Sequence, residues 1–349
     1  MTASPLRYLR AYSQAYGAAG DETWFRDQVR KDIEGAVDEV SVNPLGNLMA
    51  CRRGRNDERT LIVTAHLDEV AFIVRSIEKN GTIRFYPVGG VVPRILPGTS
   101  VHIGKKRVPG VIASKAVHLL KPAERDRVPD IKELYVDIGG SAKEDVKDIA
   151  PGDYIYFRSP FSSQRGRFFG KAFDDRAGCA VLTGLLNRFR DTRPELRLTA
   201  VYTAQEEAGL RGAWTAAFGI RNVLFNLNLE ATTCADRQKK NLYSPSTELD
   251  RGPAVTVMDK TMITHRRLLE WVLERAEAHR IPVQLKRTVT GGTDAGRIHL
   301  TESGIPSVTL AVPVRYIHAP WGILSRRDFE HYHRLAEILV EEAALFTPR

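Results

Sequence analysis

Residues Arg59–Val88, RTLIVTAHLDEVAFIVRSIEKNGTIRFYPV, hold two kinds of structure side by side. Arg59-Thr-Leu-Ile-Val-Thr-Ala65 is an unbroken apolar and β-branched run, the pattern of a strand buried on both faces. Past His66-Leu-Asp68-Glu69 the pattern changes. Two β-rich runs, Ala71–Ile77 and Thr82–Pro87, flank Asn80-Gly81, a strong hairpin signal. An α/β pattern therefore gives way here to an all-β one.

Downstream, Gly89-Gly90, Pro97-Gly98, Pro109-Gly110, Gly139-Gly140 and Pro151-Gly152 punctuate short strands, which suggests a small β-barrel or sandwich over 71–165. The flanks read differently. Glu22–Ile33 has the pattern of a surface helix, and Val181, Leu182, Leu185, Leu186 and Phe189 recur at helical spacing. Leu196–Thr203, Val223–Leu229, Ala254–Met258, Val283–Val289 and Ser307–Val312 read as strands. Gly209–Phe218, His265–His279 and Asp328–Phe346 read as helices. The expected architecture is an α/β domain with a mostly parallel mixed sheet and helices on both faces. It is formed by 1–70 and 166–349 and split by the inserted β-barrel.

The chain has 349 residues, 43% hydrophobic and 27% charged, an ordinary globular composition. No apolar run approaches the roughly 20 residues of a membrane span. The N-terminus lacks the apolar core of a signal peptide. Three cysteines cannot form a disulfide framework. The expectation is a cytoplasmic protein that meets neither membrane nor nucleic acid. The net charge of +9 is dispersed, although 16 Lys/Arg against 10 Asp/Glu fall between Ala71 and Arg165. Cys179 and Cys234 are expected to pack in the core, and His331 and His333 to lie exposed on the last helix.

Polar residues gather where the strands end. His66 and Asp68 follow the first buried strand, and Glu206-Glu207 follow Leu196–Thr203. Glu230 follows Val223–Leu229, and His318 lies beyond Ser307–Val312. Asp174-Asp175 precedes a helix, where either aspartate could serve as N-cap. Singly, each has an ordinary structural explanation. Jointly they fall on the carboxyl side of the sheet, where open α/β folds place their ligands. Two histidines with several carboxylates suit zinc, cobalt or manganese. Gly291-Gly292-Thr293-Asp294 lacks the Lys-Ser/Thr of a phosphate loop and reads as a pocket-lining loop before a helix.

Five motifs then stand in order: His66-Leu-Asp68-Glu69, Lys171-Ala-Phe-Asp174-Asp175-Arg176-Ala-Gly178, Gln205-Glu206-Glu207-Ala-Gly209-Leu-Arg-Gly212, Gly291-Gly292-Thr293-Asp294-Ala295 and Arg315-Tyr-Ile-His318. The chain resembles the TET-type metallo-aminopeptidases, a dinuclear exopeptidase family related to glutamyl and deblocking aminopeptidases. The resemblance implies cleavage of the N-terminal peptide bond by water activated at two divalent metal ions, zinc first, with cobalt and manganese as alternatives. Asp174 would bridge the metals, His66 and Glu230 completing one site and Glu207 and His318 the other. Asp68 would hold the His66 ring, Glu206 would act as general base, and Gly292, Thr293 and Asp294 would face substrate. The resemblance also implies a cis Asp174–Asp175 peptide. It implies a homo-oligomer built through the inserted domain, at least a dimer, with dodecameric tetrahedra in the family.

Glu230 departs from the pattern, which usually has Asp; Asp236 is the alternative ligand. Other functions are a metal-dependent deacylase of N-acylated small molecules, a glycosidase using two carboxylates, and an inactive scaffold. The first shares the metal site. The second needs no metal, so chelators discriminate it, and a scaffold has no use for Glu206.

Overall fold

The computed structural model describes residues 5–237 and 246–348. The large sheet places four parallel strands side by side in the order Leu196–Thr203, Asn56–His66, Val223–Cys234, Ser307–Arg315. Antiparallel strands extend both edges: Leu48–Arg52 and Glu39–Val42 on one, Gly322–Ser325, Arg167–Gly170 and Ser162–Gln164 on the other. In Asn56–His66 every residue from Thr60 onward is buried, because both faces are covered. Leu61, Val63 and Ala65 meet the large core under the helices Pro5–Gln14, Phe173–Arg188, Arg266–Ala278 and Arg326–Glu341. Ile62 turns the other way and joins Val201, Ala213, Ala216 and Ile298, beneath two helices of only four residues each. The two-residue alternation of a strand produces this division.

Phe173–Arg188 carries no polar stripe; fourteen of its 16 residues are buried. Gly184 admits the N-terminal helix, since a Cβ there would stand 2.8 Å from Pro5 Cγ. Asp175 serves as the N-terminal cap, its Oδ1 accepting from Gly178 N at 2.9 Å.

The insertion is a closed antiparallel barrel in the order Ala71–Ile77, Ile83–Val88, Tyr135–Asp137, Val108–Ala113, Ser100–Ile103, Tyr154–Phe157. Phe72 stands edge-on to Phe85 and Phe157, with centroids 4.9 and 5.4 Å away, and Val101, Ile112, Val136 and Ile155 fill the remaining centre. The Asn80-Gly81 hairpin closes with three loop residues rather than two. Glu78 N donates to Thr82 O, Gly81 N donates to Glu78 O, and Gly81 takes the left-handed φ of +79° that this turn demands. The barrel strands end at Phe157, and Ser162–Gln164 already pairs in the large sheet, so the crossing back comes before residue 165.

Several sequence expectations need correcting. Gly209–Phe218 keeps only Ala213–Ala216 as helix, because Gly209 and Leu210 have positive φ. Val283–Val289 shrinks to Gln284–Leu285, whose Leu285 is exposed. Val223–Leu229 continues to Cys234, which puts Glu230 inside the strand. His331 and His333 are half-buried, as the last helix packs against other elements on more than one side. Pro5–Gln14, whose Tyr8, Leu9 and Tyr12 are buried, was not anticipated.

Candidate active site

Parallel pairing sets the site. Thr203 pairs with His66, and Asn228 pairs with Thr64, so Glu230 lies level with His66, two residues further along. His66 ends its strand. Glu206 and Glu207 follow a sharp turn after Thr203, in which Gln205 has a φ of +57°. His318 arrives from the far side, also with a positive φ. Asp174 sits at the kinked entry to Phe173–Arg188, and the Asp174–Asp175 peptide is cis.

The structure brings the expected residues together around Asp174. Asp174 Oδ1 lies 2.9 Å from His66 Nε2, and Oδ2 lies 3.1 Å from His318 Nε2. Each imidazole has its own second carboxylate: Glu230 Oε1 at 3.3 Å from His66, and Glu207 Oε1 at 3.1 Å from His318. Asp175 is also near His66 and Glu230, but its oxygens are engaged by the amides of His66 and Gly178. Asp236 is excluded as the replacement for Glu230, since Arg315 binds it bidentately at 2.6 and 2.7 Å.

Asp68 lies against the His66 ring, through its carbonyl oxygen rather than its carboxylate. The Nδ1 atom of His66 is 3.0 Å from the Asp68 carbonyl oxygen, while the Asp68 carboxylate is 3.7 Å away. That carboxylate accepts instead from the amides of Glu206 and Glu207, both at 2.9 Å. The Asp294 side chain is 1% exposed and turned inward, where Thr203 Oγ1 donates to it. Gly292 and Thr293 do face the open cavity of about 690 Å³ beside Asp174, Glu206, Glu207 and His318.

The electrostatics are those of a carboxylate crowd in which no Lys or Arg side chain pairs directly with Asp174, Glu206, Glu207 or Glu230 among the described residues. Burial opposes charge on His66, yet Glu230, Asp174 and Asp68 outweigh it and hold its pKa well above the usual imidazole value. Burial likewise opposes charge on His318, but Asp174 and Glu207 push it up to about 11. For Asp174 burial acts upward, and the hydrogen bonds with His318 and His66 overcome it, taking the carboxyl far below its ordinary range. Glu230 is pushed up to about 8, chiefly by burial. Glu206 is pushed well up by burial and, beyond the opposing pull of His66, by Glu230, Glu207 and Asp294. Glu207 Oε1 is buried, with His318 Nε2 3.1 Å away but poorly aligned for a hydrogen bond. Divalent cations suit this donor set, because they supply the positive charge that it lacks.

Sequence reasoning missed several residues. Lys260 and Lys286 line the cavity; as isolated lysines in a polar stretch they gave no signal. Asn47 and Glu22 accept from the backbone that carries Glu206, and both lie more than 150 residues away in sequence.

A sheet that presents two histidine–carboxylate pairs around one shared aspartate belongs to a metal-dependent hydrolase. Residues 46–335 match the M42 glutamyl aminopeptidase family, and the chain belongs to it. It is 33% identical over 328 residues to a putative aminopeptidase of Acetivibrio thermocellus, covering 94% of this chain and 96% of that one. It is 28% identical to a lysyl aminopeptidase of Pyrococcus furiosus, covering 96% of each. Among solved structures, a TET aminopeptidase from a marine-sediment Thaumarchaeota archaeon superposes with a TM-score of 0.91 at 36% identity, covering 97% of this chain and 96% of that one. The Pyrococcus horikoshii TET1 peptidase, described as assembling into a tetrahedron or a large octahedral shell, gives 0.85 at 29%, covering 97% and 100%. The protein is a metal-dependent aminopeptidase.

Proposed function

We propose that this aminopeptidase holds two divalent cations, His66, Asp174 and Glu230 binding one and Asp174, Glu207 and His318 the other. The supporting observation is that the two Asp174 oxygens face different histidines. Bound cations would polarise the scissile carbonyl and lower the pKa of the attacking water. The protein's own part is to place the reactants. Glu206 lies in the cavity beside Asp174 and Glu207, placed to take a proton from that water and pass it to the leaving amine. Asp68 fixes the amides of Glu206 and Glu207, so the two adjacent carboxylates keep separate directions.

Lys286 and Lys260 point the preference toward an acidic N-terminal residue. Both line the same cavity, and neither has a carboxylate within ion-pair distance among the described residues. Lys286 Nζ donates to Thr290 O at 2.8 Å. Burial lowers the pKa of Lys286 against the opposing pull of Asp259, Glu230 and Asp174. An incoming Asp or Glu side chain would meet an ammonium group with no carboxylate in direct contact. Turnover of glutamyl, aspartyl, leucyl and lysyl anilides, with zinc, cobalt and manganese added separately, tests this. Glutamyl or aspartyl substrates should lead, and Lys286→Glu should shift the preference toward lysyl. N-acetylated amino acids cleaved in preference to every aminoacyl anilide would instead mean a deacylase.

The same reading makes the protein a cytoplasmic homo-oligomer. Its cysteines are unpaired, no described helix is long and apolar enough to cross a membrane, and a structural neighbour assembles into closed shells. Light scattering at micromolar concentration tests the assembly, and a monomer would refute it.

A further inference from the structure

Four successive amides lead into the catalytic carboxylates, and each donates to a side chain rather than to a neighbouring strand. Ala204 N donates to Asn47 Oδ1 at 2.9 Å and Gln205 N to Glu22 Oε1 at 3.1 Å. Glu206 N and Glu207 N donate to the two Asp68 oxygens, both at 2.9 Å. The segment has left the sheet at Thr203, so its amides would otherwise lack a protein partner in a half-buried turn. Gln205 has a φ of +57°, a conformation that a side chain disfavours and that its surroundings must enforce.

Glu22 is the unusual member of this cradle. It lies outside the 46–335 stretch that matches the family and is 4% exposed. It immediately precedes the helix Thr23–Asp32 but makes no capping bond to it. Its Oε1 accepts from Gly20 N at 2.8 Å and from Gln205 N. The loop that carries it is anchored in turn by the barrel. Tyr154 Oη donates to Ala19 O at 3.0 Å, and Tyr156 Oη donates to Asp21 Oδ2 at 2.5 Å.

We propose that Glu22 is a positioning residue for peptide hydrolysis, fixing the Gln205 turn from which Glu206 enters the cavity. The proposal rests on the role given to Glu206 above. Glu22 acts through its acceptor oxygen, and the Gln205 amide is the group it holds. Without it, Gln205 is free to leave its left-handed conformation and Glu206 is displaced from the attacking water. Displacements of about 1 Å at a catalytic group cost up to ~10²-fold in rate.

The test compares Glu22→Ala, Glu22→Gln and Glu22→Asp with the wild type in two assays. One is steady-state kinetics on the best aminoacyl anilide. The other is amide exchange, read by mass spectrometry, in peptides spanning 204–210. Glu22→Ala should lower kcat by at least about tenfold with KM changed less than about twofold, and should speed exchange in this segment by about tenfold. Glu22→Gln keeps the acceptor and should restore both readouts to within about threefold, whereas Glu22→Asp, a methylene short, should not. The proposal is overturned if Glu22→Ala keeps its kcat, if kcat falls without faster local exchange, or if Glu22→Gln behaves like Glu22→Ala. Should Glu22→Ala fail to fold, equal kcat for the Gln and Asp variants overturns it. The exchange arm needs no turnover. A wild type inactive on every anilide would thus refute the functional reading while the exchange data still judged Glu22.

Discussion

Replacing Lys171 by methionine should cost about 3 kcal/mol of stability, at the low end of the range for breaking a buried ion pair. Lys171 and Glu69 are each 2% exposed. The ammonium donates to both Glu69 oxygens at 2.7 and 2.6 Å, and to Ala15 O at 2.6 Å. Methionine fills similar volume, so the loss is electrostatic: Glu69 keeps its charge, and the Ala15 carbonyl loses a donor. The low end applies because Arg176 Nη2, 3.3 Å from Glu69 Oε1, remains as a counter-charge. Chemical denaturation of the single and double variants measures this. Glu69→Gln/Lys171→Met should recover less than half of the loss, because buried Arg176, which pairs with Glu69 at 3.3 Å, is then the stranded charge. A single-variant loss below about 1 kcal/mol, the scale of a solvated surface pair, would refute the reasoning.

Three further expectations concern the site and its rim. Glu206→Gln should retain both cations by elemental analysis but lose about 10²–10⁴-fold in turnover; Glu207→Gln should bind fewer cations and regain activity with excess metal, which Glu206→Gln should not. Glu230→Ala should lose one cation and Glu230→Asp should keep partial occupancy, so two cations per chain in Glu230→Ala would remove it from the ligand set. The Arg315 bond lowers the Asp236 pKa to about 2, below its unfolded value. Its stabilisation is therefore complete above about pH 4, is lost as pH falls toward 2, and amounts to about 1 kcal/mol at this partly solvated site. Acid denaturation of Arg315→Met should lack that portion of the pH dependence.

The parallel strands were legible because burial on both faces leaves continuous apolar runs such as Leu61-Ile-Val-Thr-Ala65. The same continuity hid the end of Val223–Cys234, where Glu230-Ala-Thr-Thr-Cys234 is chemically mixed and pairing with Ser307–Arg315 carries the strand on. Polar residue types at strand ends revealed which residues meet, but not which atoms. Asp68 contributes its carbonyl to His66 and its carboxylate to an amide pair, a choice made by backbone geometry. Asp294 reads as a loop residue, yet the turn before Ala295–Ile298 rotates it inward to Thr203. Glu22 reads as one more acidic residue opening a surface helix, and its partner is 183 residues away.

The insertion also sets the order in which the molecule can be built as it is synthesised. Strand Asn56–His66 lies between Leu196–Thr203 and Val223–Cys234 in the finished sheet, so neither neighbour exists when it leaves the ribosome. The barrel strands, all between Ala71 and Phe157, need no later residue to close. At about 5–20 residues per second, a nascent chain waits roughly 6–26 s between His66 and the first of those neighbours. Through that interval the apolar run Leu61–Ala65 has two unpaired edges, and for its last part it stands beside a barrel whose strands have all been made. Slower synthesis across 158–195 would lengthen this exposure and, with it, the time available for edge-to-edge aggregation.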